Sequence, residues 1–189
     1  IRRRAESPAG FCWIEQKNGK RSIAWTRGSA RPLSPRELDR DLIRNSRVLH
    51  LDGHQTQAAI AAAKCAKKHG VTVSIDAGTI LPGIDELLAL SDIVIASEKF
   101  AARYTGETSP VNAAAKLFAA GCRFVGVTLG KAGSIGFDGT RTLSCPPFDV
   151  GKVAAIVDAT LQTKPNGATH WSCRPMATAQ GVSKSTINN

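Results

Sequence analysis

Apolar and polar residues follow two different periods along this chain, and the switches between them lay out most of its elements. Residues 11–16 and 21–26 are short runs rich in aromatic and β-branched side chains, set on either side of Lys17-Asn18-Gly19-Lys20. Asn-Gly favours a tight turn because both turn residues need positive φ, so this segment predicts an antiparallel hairpin. Ser34-Pro35-Arg36-Glu37 then carries a helix-start signature, with Ser34 as N-cap, Pro35 in the first turn and Glu37 closing a capping box. From there strands and helices alternate. Strand 48–52 leads to helix 55–69, stopped by Gly70; strand 71–76 leads to a short helix 84–90; strand 92–96 leads to helix 98–104, stopped by Gly106. Ser109-Pro110 opens helix 111–120, and Gly121 passes the chain into strand 123–128, a glycine loop and a closing hairpin around Asp138-Gly139.

Short, nearly all-apolar strands alternating with helices predict an α/β fold: a mostly parallel sheet with helices on both faces, and the hairpin 11–26 as a small β appendage. In such sheets ligands lie beyond the carboxyl ends of the strands, which directs attention to the loops after Asp52, Asp76, Ala96 and Thr128. Composition shifts near Gly151. One amphipathic helix is expected over 152–163, then the breaker Lys164-Pro165-Asn166-Gly167, then a segment rich in Ser, Thr and Asn. The expected division is 1–150 and 151–189.

Charge narrows the choices. The formal net charge is +10, but residues 51–150 hold 9 basic and 9 acidic groups, so the excess sits at the two ends and a basic track through the fold is not expected. Most arginines before residue 50 (Arg27, Arg31, Arg36, Arg40, Arg44 and Arg47) fall in a loop and on a helix that also carries Glu37, Asp39 and Asp41, which reads as a solvated mixed face. No apolar stretch approaches the ~18–20 residues of a membrane span, and none follows the basic start as a signal peptide would. Five cysteines, odd in number and without a C-x-x-C pair, point to reduced thiols and a cytoplasmic setting, with no zinc site.

The candidate chemistry lies at Thr128-Leu129-Gly130-Lys131-Ala132-Gly133. Glycines just past a buried strand let backbone N–H groups approach an anion, and Thr128 adds a hydroxyl; the spacing is not that of a P-loop, and a plain turn is the alternative. His50 and His54 flank Asp52, with no further ligand spaced to complete a metal site, so a structural role is expected for them. Asp76 sits at a strand exit, where a substrate-side group and a turn cap are equal alternatives. Cys65 and Cys122 read as packing residues.

Thr128–Gly133 followed by Gly136-Phe137-Asp138-Gly139, together with Ser91-Asp92-Ile93-Val94-Ile95-Ala96-Ser97-Glu98, Tyr104-Thr105-Gly106 and the hairpin followed by Pro32-Leu33-Ser34, resembles the ribokinase (PfkB) family of carbohydrate kinases over roughly residues 1–150. The resemblance implies an α/β sheet with a β lid, ATP and Mg as cofactors, a sugar as acceptor, and Thr128, Gly130, Gly133, Ser97 and Glu98 on the nucleotide side. Three departures follow. That family's late Asp-Thr-x-Gly-Ala-Gly-Asp segment, which supplies an anion hole and the base, is absent, and Asp158 has no Gly-Ala-Gly before it, so no catalytic residue is assigned. The family's Asn-x-x-Glu falls on Ser97 and Phe100, leaving Glu98 as a nearby substitute and no metal ligand assigned. The part that carries the family's first strand is missing too, which predicts an open sheet edge and self-association.

Residues 164–172 and 176–187 resemble the helix-turn-helix region of insertion-sequence transposases. That resemblance implies a recognition helix presenting Lys184, Ser185, Thr186 and Asn188 to DNA. The expectations are therefore a truncated sugar kinase without intact activity or, as the alternative, a DNA-binding remnant fused to it.

Overall fold

The computed structural model describes residues 5–15 and 21–147. They fall into two compact units, one reaching Ala30 and one spanning Arg31–Pro147. The first holds an antiparallel ribbon, β1 (Ala9–Ile14) and β2 (Arg21–Thr26), with Ala9 opposite Thr26 and Ile14 opposite Arg21. Residues 17–20, expected as its turn, lie outside the described residues. Alternation puts Phe11, Trp13 and Ala24 on one face and Cys12, Ile23 and Trp25 on the other, and every residue of both strands is exposed. The base of the ribbon is stapled: the amides of Ser29 and Ala30 both donate to the Glu6 carbonyl at 3.1 Å, and the Glu6 amide donates to Ser29 Oγ at 2.9 Å. Gly28 makes that closure at φ +67, where a Cβ would run into the Glu6 and Ser7 carbonyls.

The second unit is a six-stranded sheet in the order β3-β4-β5-β6-β7-β8. Strands β3 (Val48–Leu51), β4 (Thr72–Ala77), β5 (Ile93–Ser97) and β6 (Phe124–Thr128) run parallel; β7 (Ser134–Phe137) and β8 (Thr142–Cys145) add an antiparallel hairpin. The parallel part follows from the crossovers, because α2 (Thr56–Lys68), α3 (Ile84–Ala89), and the pair α4 (Glu98–Thr105) and α5 (Pro110–Phe118) each return the chain to the same edge. The hairpin turns at Asp138, whose Oδ1 accepts the amides of Thr140 and Arg141.

Side-chain alternation sorts the sheet into two unlike faces. Val73, Ile75, Ala77, Val94, Ala96, Val125 and Val127 are buried in one cluster with the apolar sides of the helices. Ala59, Ala62, Ala63 and Ala66 on α2 let that helix lie close to the sheet, and Leu87, Leu88 and Leu117 fill the space between. The opposite face presents Thr72, Ser74, Asp76, Ser97 and Thr128, none of them buried. A mostly parallel α/β sheet with an antiparallel hairpin is thus what the chain forms, with its described helices gathered in one core.

One local expectation needs correction. The Ser34 capping box closes, with Glu37 Oε2 accepting the Ser34 amide at 2.9 Å, but it caps only a single 3-10 turn, Pro35–Glu37. Leu38 is extended (ψ 129), and the α-helix restarts as α1 (Arg40–Arg44) under Asp39, whose Oδ1 accepts from the amides of Asp41 and Leu42. A second N-cap two residues after the capping box closes at Glu37 interrupts the helix it would have extended. Gly106 does stop α4 in the left-handed conformation, and Ser109 does cap α5. The expected helix 152–163, the tail and its Lys184, Ser185, Thr186 and Asn188 lie outside the described residues.

At the amino edge of the sheet one carboxylate is fully engaged. Asp92 is buried just before β5; its Oδ1 accepts from Lys67 Nζ at 2.7 Å, its Oδ2 from the Val73 amide at 2.8 Å, and Arg123 Nε lies 3.6 Å away. Burial pushes this carboxyl upward, but the Lys67 and Val73 hydrogen bonds and the charges of Lys67 and Arg123 outweigh it and hold Asp92 below the usual carboxylate range. Cys122 is buried beside this edge and Cys65 is half-buried against the core, the packing roles expected of them.

Candidate functional site

The carboxyl edge is built differently. Ser97, Thr128, Ser134 and Cys145 are successive partners across β5, β6, β7 and β8, so three hydroxyls and a thiol form one row on the less covered face. Ser134 was not singled out in the sequence; only the β6–β7 register places it there. Ser97 Oγ accepts from the Phe100 amide at 3.2 Å as the N-cap of α4, which leaves its hydroxyl hydrogen free to donate. Thr128 Oγ1 lies 3.4 Å from the Ala96 carbonyl, a long bond that ties the β6 exit to β5.

Past Thr128 the chain makes one 3-10 turn, Gly130–Ala132, closed by Ala132 N–H to the Leu129 carbonyl (3.1 Å) and by Leu129 N–H to the Gly133 carbonyl (2.8 Å). The amides of Gly130 and Lys131 precede that first bond and donate to no backbone carbonyl among the described residues. The two glycines differ in kind. Gly130 sits at φ +57 with open space where a Cβ would be, so a ligand can approach its backbone. Gly133, at φ +87, has no such room: a Cβ there would strike the Cys145 carbonyl and lie 2.9 Å from Pro146 C and Pro147 N. Its glycine is required by the crossing of β8 and the diproline.

Glu98 opens α4 directly after Ser97, exposed and without a side-chain partner among the described residues. Phe100 points into the core, 2% exposed and stacked on Tyr104 with centroids 5.6 Å apart. Burial and the Tyr104 hydroxyl's donation to Asp85 Oδ1 (2.7 Å) push that phenol up to about 12, which marks this cluster as structural. No carboxylate can therefore act from position 100, and Glu98 is the acid adjoining the glycine loop.

At the β3 and β4 exits, Asp76 lies exposed within β4 and caps no turn or helix among the described residues. His50 Nδ1 lies 3.3 Å from Ser74 Oγ on the neighbouring strand, a structural pairing, while His54 folds back on Asp52. Gln55 was read as the first helical residue; it is instead the N-cap position of α2 in the left-handed conformation (φ 52), and nothing in its local sequence signals this.

Comparison with known proteins fits these edges. Residues 1–160 match the model of the pfkB family carbohydrate kinases. The chain is 32% identical over 152 residues to a bifunctional ribokinase/ribose-5-phosphate isomerase A of Fructilactobacillus sanfranciscensis, a match covering 76% of this chain and 27% of that protein. Over 84 residues it is 33% identical to an ATP-dependent ribose-1-phosphate kinase of Halopiger xanaduensis, covering 43% of this chain and 28% of that protein. Among solved structures, Arabidopsis thaliana ribokinase complexed with ribose and ATP superposes with a TM-score of 0.62 at 23% identity, covering 97% of this chain and 60% of that one. The chain thus spans about a quarter of those two relatives and about three-fifths of that structure. With the family model matched over most of its length, the chain belongs to the pfkB family of carbohydrate kinases.

Proposed function

We propose that the carboxyl edge of this chain binds the phosphates of ATP or ADP, as the nucleotide side of a phosphotransferase whose acceptor is a sugar hydroxyl. The observation that carries this is Gly130: a positive-φ glycine with open space above it, heading a turn whose first two amides donate to no backbone carbonyl among the described residues, beside the hydroxyls of Thr128 and Ser97. Nucleotide relatives support it, since the ribokinase structures named for bound ATP share this fold. Mg2+ suits the donor set, which is all hard oxygen; it binds through one or two carboxylates plus substrate phosphates, and Glu98 is the carboxylate in position. When bound, the ion would neutralise charge on the phosphates.

Transfer by residues 1–189 alone is proposed to be undetectable. The sequence has no Gly-Ala-Gly-Asp segment to supply amides and a base for the transferring group, and one oxyanion-type donor is by itself worth roughly 10²–10³ in rate. Calorimetric titration with MgADP tests the binding, and a coupled ADP-release assay tests the turnover. Saturable binding that weakens at least about tenfold in Gly130→Ala, with no sugar-dependent ADP release, is expected. An unmodified chain that fails to bind MgADP, or a Gly130→Ala variant that binds as well, overturns the nucleotide reading; robust turnover overturns the inactivity.

A further inference from the structure

The chain contains two Asp-Gly pairs, Asp52-Gly53 after β3 and Asp138-Gly139 at the turn between β7 and β8. Aspartate before glycine is prone to rearrange its own backbone, because glycine has no side chain to keep the following amide nitrogen away from the carboxyl carbon. The two pairs are alike in sequence and alike at their nitrogens: neither the Gly53 nor the Gly139 amide donates to a backbone carbonyl among the described residues. Their carboxylates differ.

Both oxygens of Asp138 are engaged. Its Oδ1 accepts from the Thr140 amide at 3.0 Å, the Thr140 hydroxyl at 2.8 Å and the Arg141 amide at 2.8 Å, and its Oδ2 accepts from Arg141 Nε at 3.3 Å and Nη2 at 3.2 Å. The Arg141 and Thr140 amides foremost hold this carboxyl well below the usual carboxylate range. Gly139 also lies against the Phe118 ring, which a Cβ would strike. At Asp52 only Oδ1 is held, by the His54 amide at 2.9 Å. Its Oδ2 has the His54 Nδ1 3.7 Å away, too far for a hydrogen bond, on a side chain 74% exposed. Gly53, at φ +76, has nothing nearer than the Asp76 carbonyl, 3.9 Å from where a Cβ would stand.

We propose that Asp52-Gly53 is a site of spontaneous isoaspartate formation in the folded chain, selected over Asp138-Gly139 because Asp52 Oδ2 is free to leave. The Gly53 nitrogen bonds to Asp52 Cγ, and Oδ2 departs as water with the amide hydrogen and the proton of the acid form, leaving a cyclic imide. Water then adds to the main-chain carbonyl carbon of Asp52 and the original peptide bond to Gly53 breaks. The chain now runs through Cγ, and the former carbonyl is the carboxylate. Nothing is oxidised or reduced, and water is the only co-reactant. At Asp138 the same departure would first have to break both Arg141 bonds to Oδ2. The product carries one extra backbone methylene just ahead of Gln55, whose Oε1 accepts from the Leu33 amide at 2.8 Å.

The test keeps the full chain for weeks at physiological temperature and neutral pH, in buffer and in parallel in guanidinium chloride, and then digests it with trypsin. Electron-transfer fragmentation, which yields ions diagnostic of isoaspartate, gives the isomerised fraction at positions 52 and 138. Peptides carrying Asn18-Gly19 and Asn166-Gly167 are scored apart, since Asn-Gly reaches the same imide with loss of ammonia. In buffer Asp52 should accumulate at least about fivefold more isoaspartate than Asp138, and in denaturant the two should agree within about twofold. Arg141→Ala, which frees Asp138 Oδ2, should raise the Asp138 fraction in buffer at least about threefold and leave Asp52 unchanged. Equal fractions in buffer, a fivefold difference that persists in denaturant, or an Asp138 fraction indifferent to Arg141→Ala overturns the assignment.

Discussion

The two edges of the same sheet are made of the same kinds of residue and behave in opposite ways. At the amino edge Asp92 collects Lys67, the Val73 amide and Arg123, so a buried charge joins β4, β5 and β6 and has nothing left to offer a ligand. At the carboxyl edge Asp76 and Glu98 have no side-chain partner among the described residues, hydroxyls line up across three strands, and two amides head an open turn. The difference teaches that a carboxylate's role is read from whether the fold satisfies it. Buried polar groups must be paired or they destabilise, whereas exposed ones at a strand exit remain available.

Breaking the satisfied edge should give the largest loss. Asp92→Ala leaves Lys67 and the Val73 amide without their acceptor and should cost about 3 kcal/mol, read from urea unfolding at neutral pH. Nucleotide titration of the folded fraction should be unchanged; a loss under about 1 kcal/mol would mean the network is not cooperative with the fold.

The glycine loop sharpens the comparison within a single turn. Gly133→Ala forces a Cβ into the backbone of Cys145–Pro147 at φ +87 and should destabilise by about 2–3 kcal/mol. Gly130→Ala meets open space and should cost only about 1 kcal/mol for its positive φ. Thermal denaturation of both variants checks the order, and equal losses would contradict the separation of a structural glycine from an approachable one.

Acid gives the smallest and most specific effect. Asp92 is held below its unfolded value, so its stabilisation is fully present above about pH 4 and disappears as pH falls through the folded value. Asp92→Asn should therefore flatten the acid limb of the stability profile below about pH 4, read from urea unfolding across that range; an unchanged limb would mean that Asp92 does not carry it.

Much of this was legible in the residues themselves. The alternation of apolar strands with helices, Gly106 and Ser109 as helix punctuation, and the Asp138-Gly139 hairpin are local signals, and each was met. Asp39 was hidden because two capping signals within five residues compete, and only the extended Leu38 shows which helix forms. At the site, Thr128, Gly130 and Gly133 were visible as a motif, but their spacing is silent on which glycine is open. Gln55 gave no signal, since its left-handed backbone is fixed by a hydrogen bond to Leu33, twenty-two residues earlier.

The sequence by itself determined the element order, the punctuation between elements and the chemical types gathered at the strand exits, because these follow from periods and turn preferences a few residues long. Only the tertiary structure decided which of those groups are used up and which remain free. Register across β5, β6 and β7 aligned Ser97, Thr128 and Ser134, burial withdrew Phe100, and the crossing of Cys145–Pro147 claimed Gly133. Such contacts join residues far apart in the chain, and no local pattern encodes them.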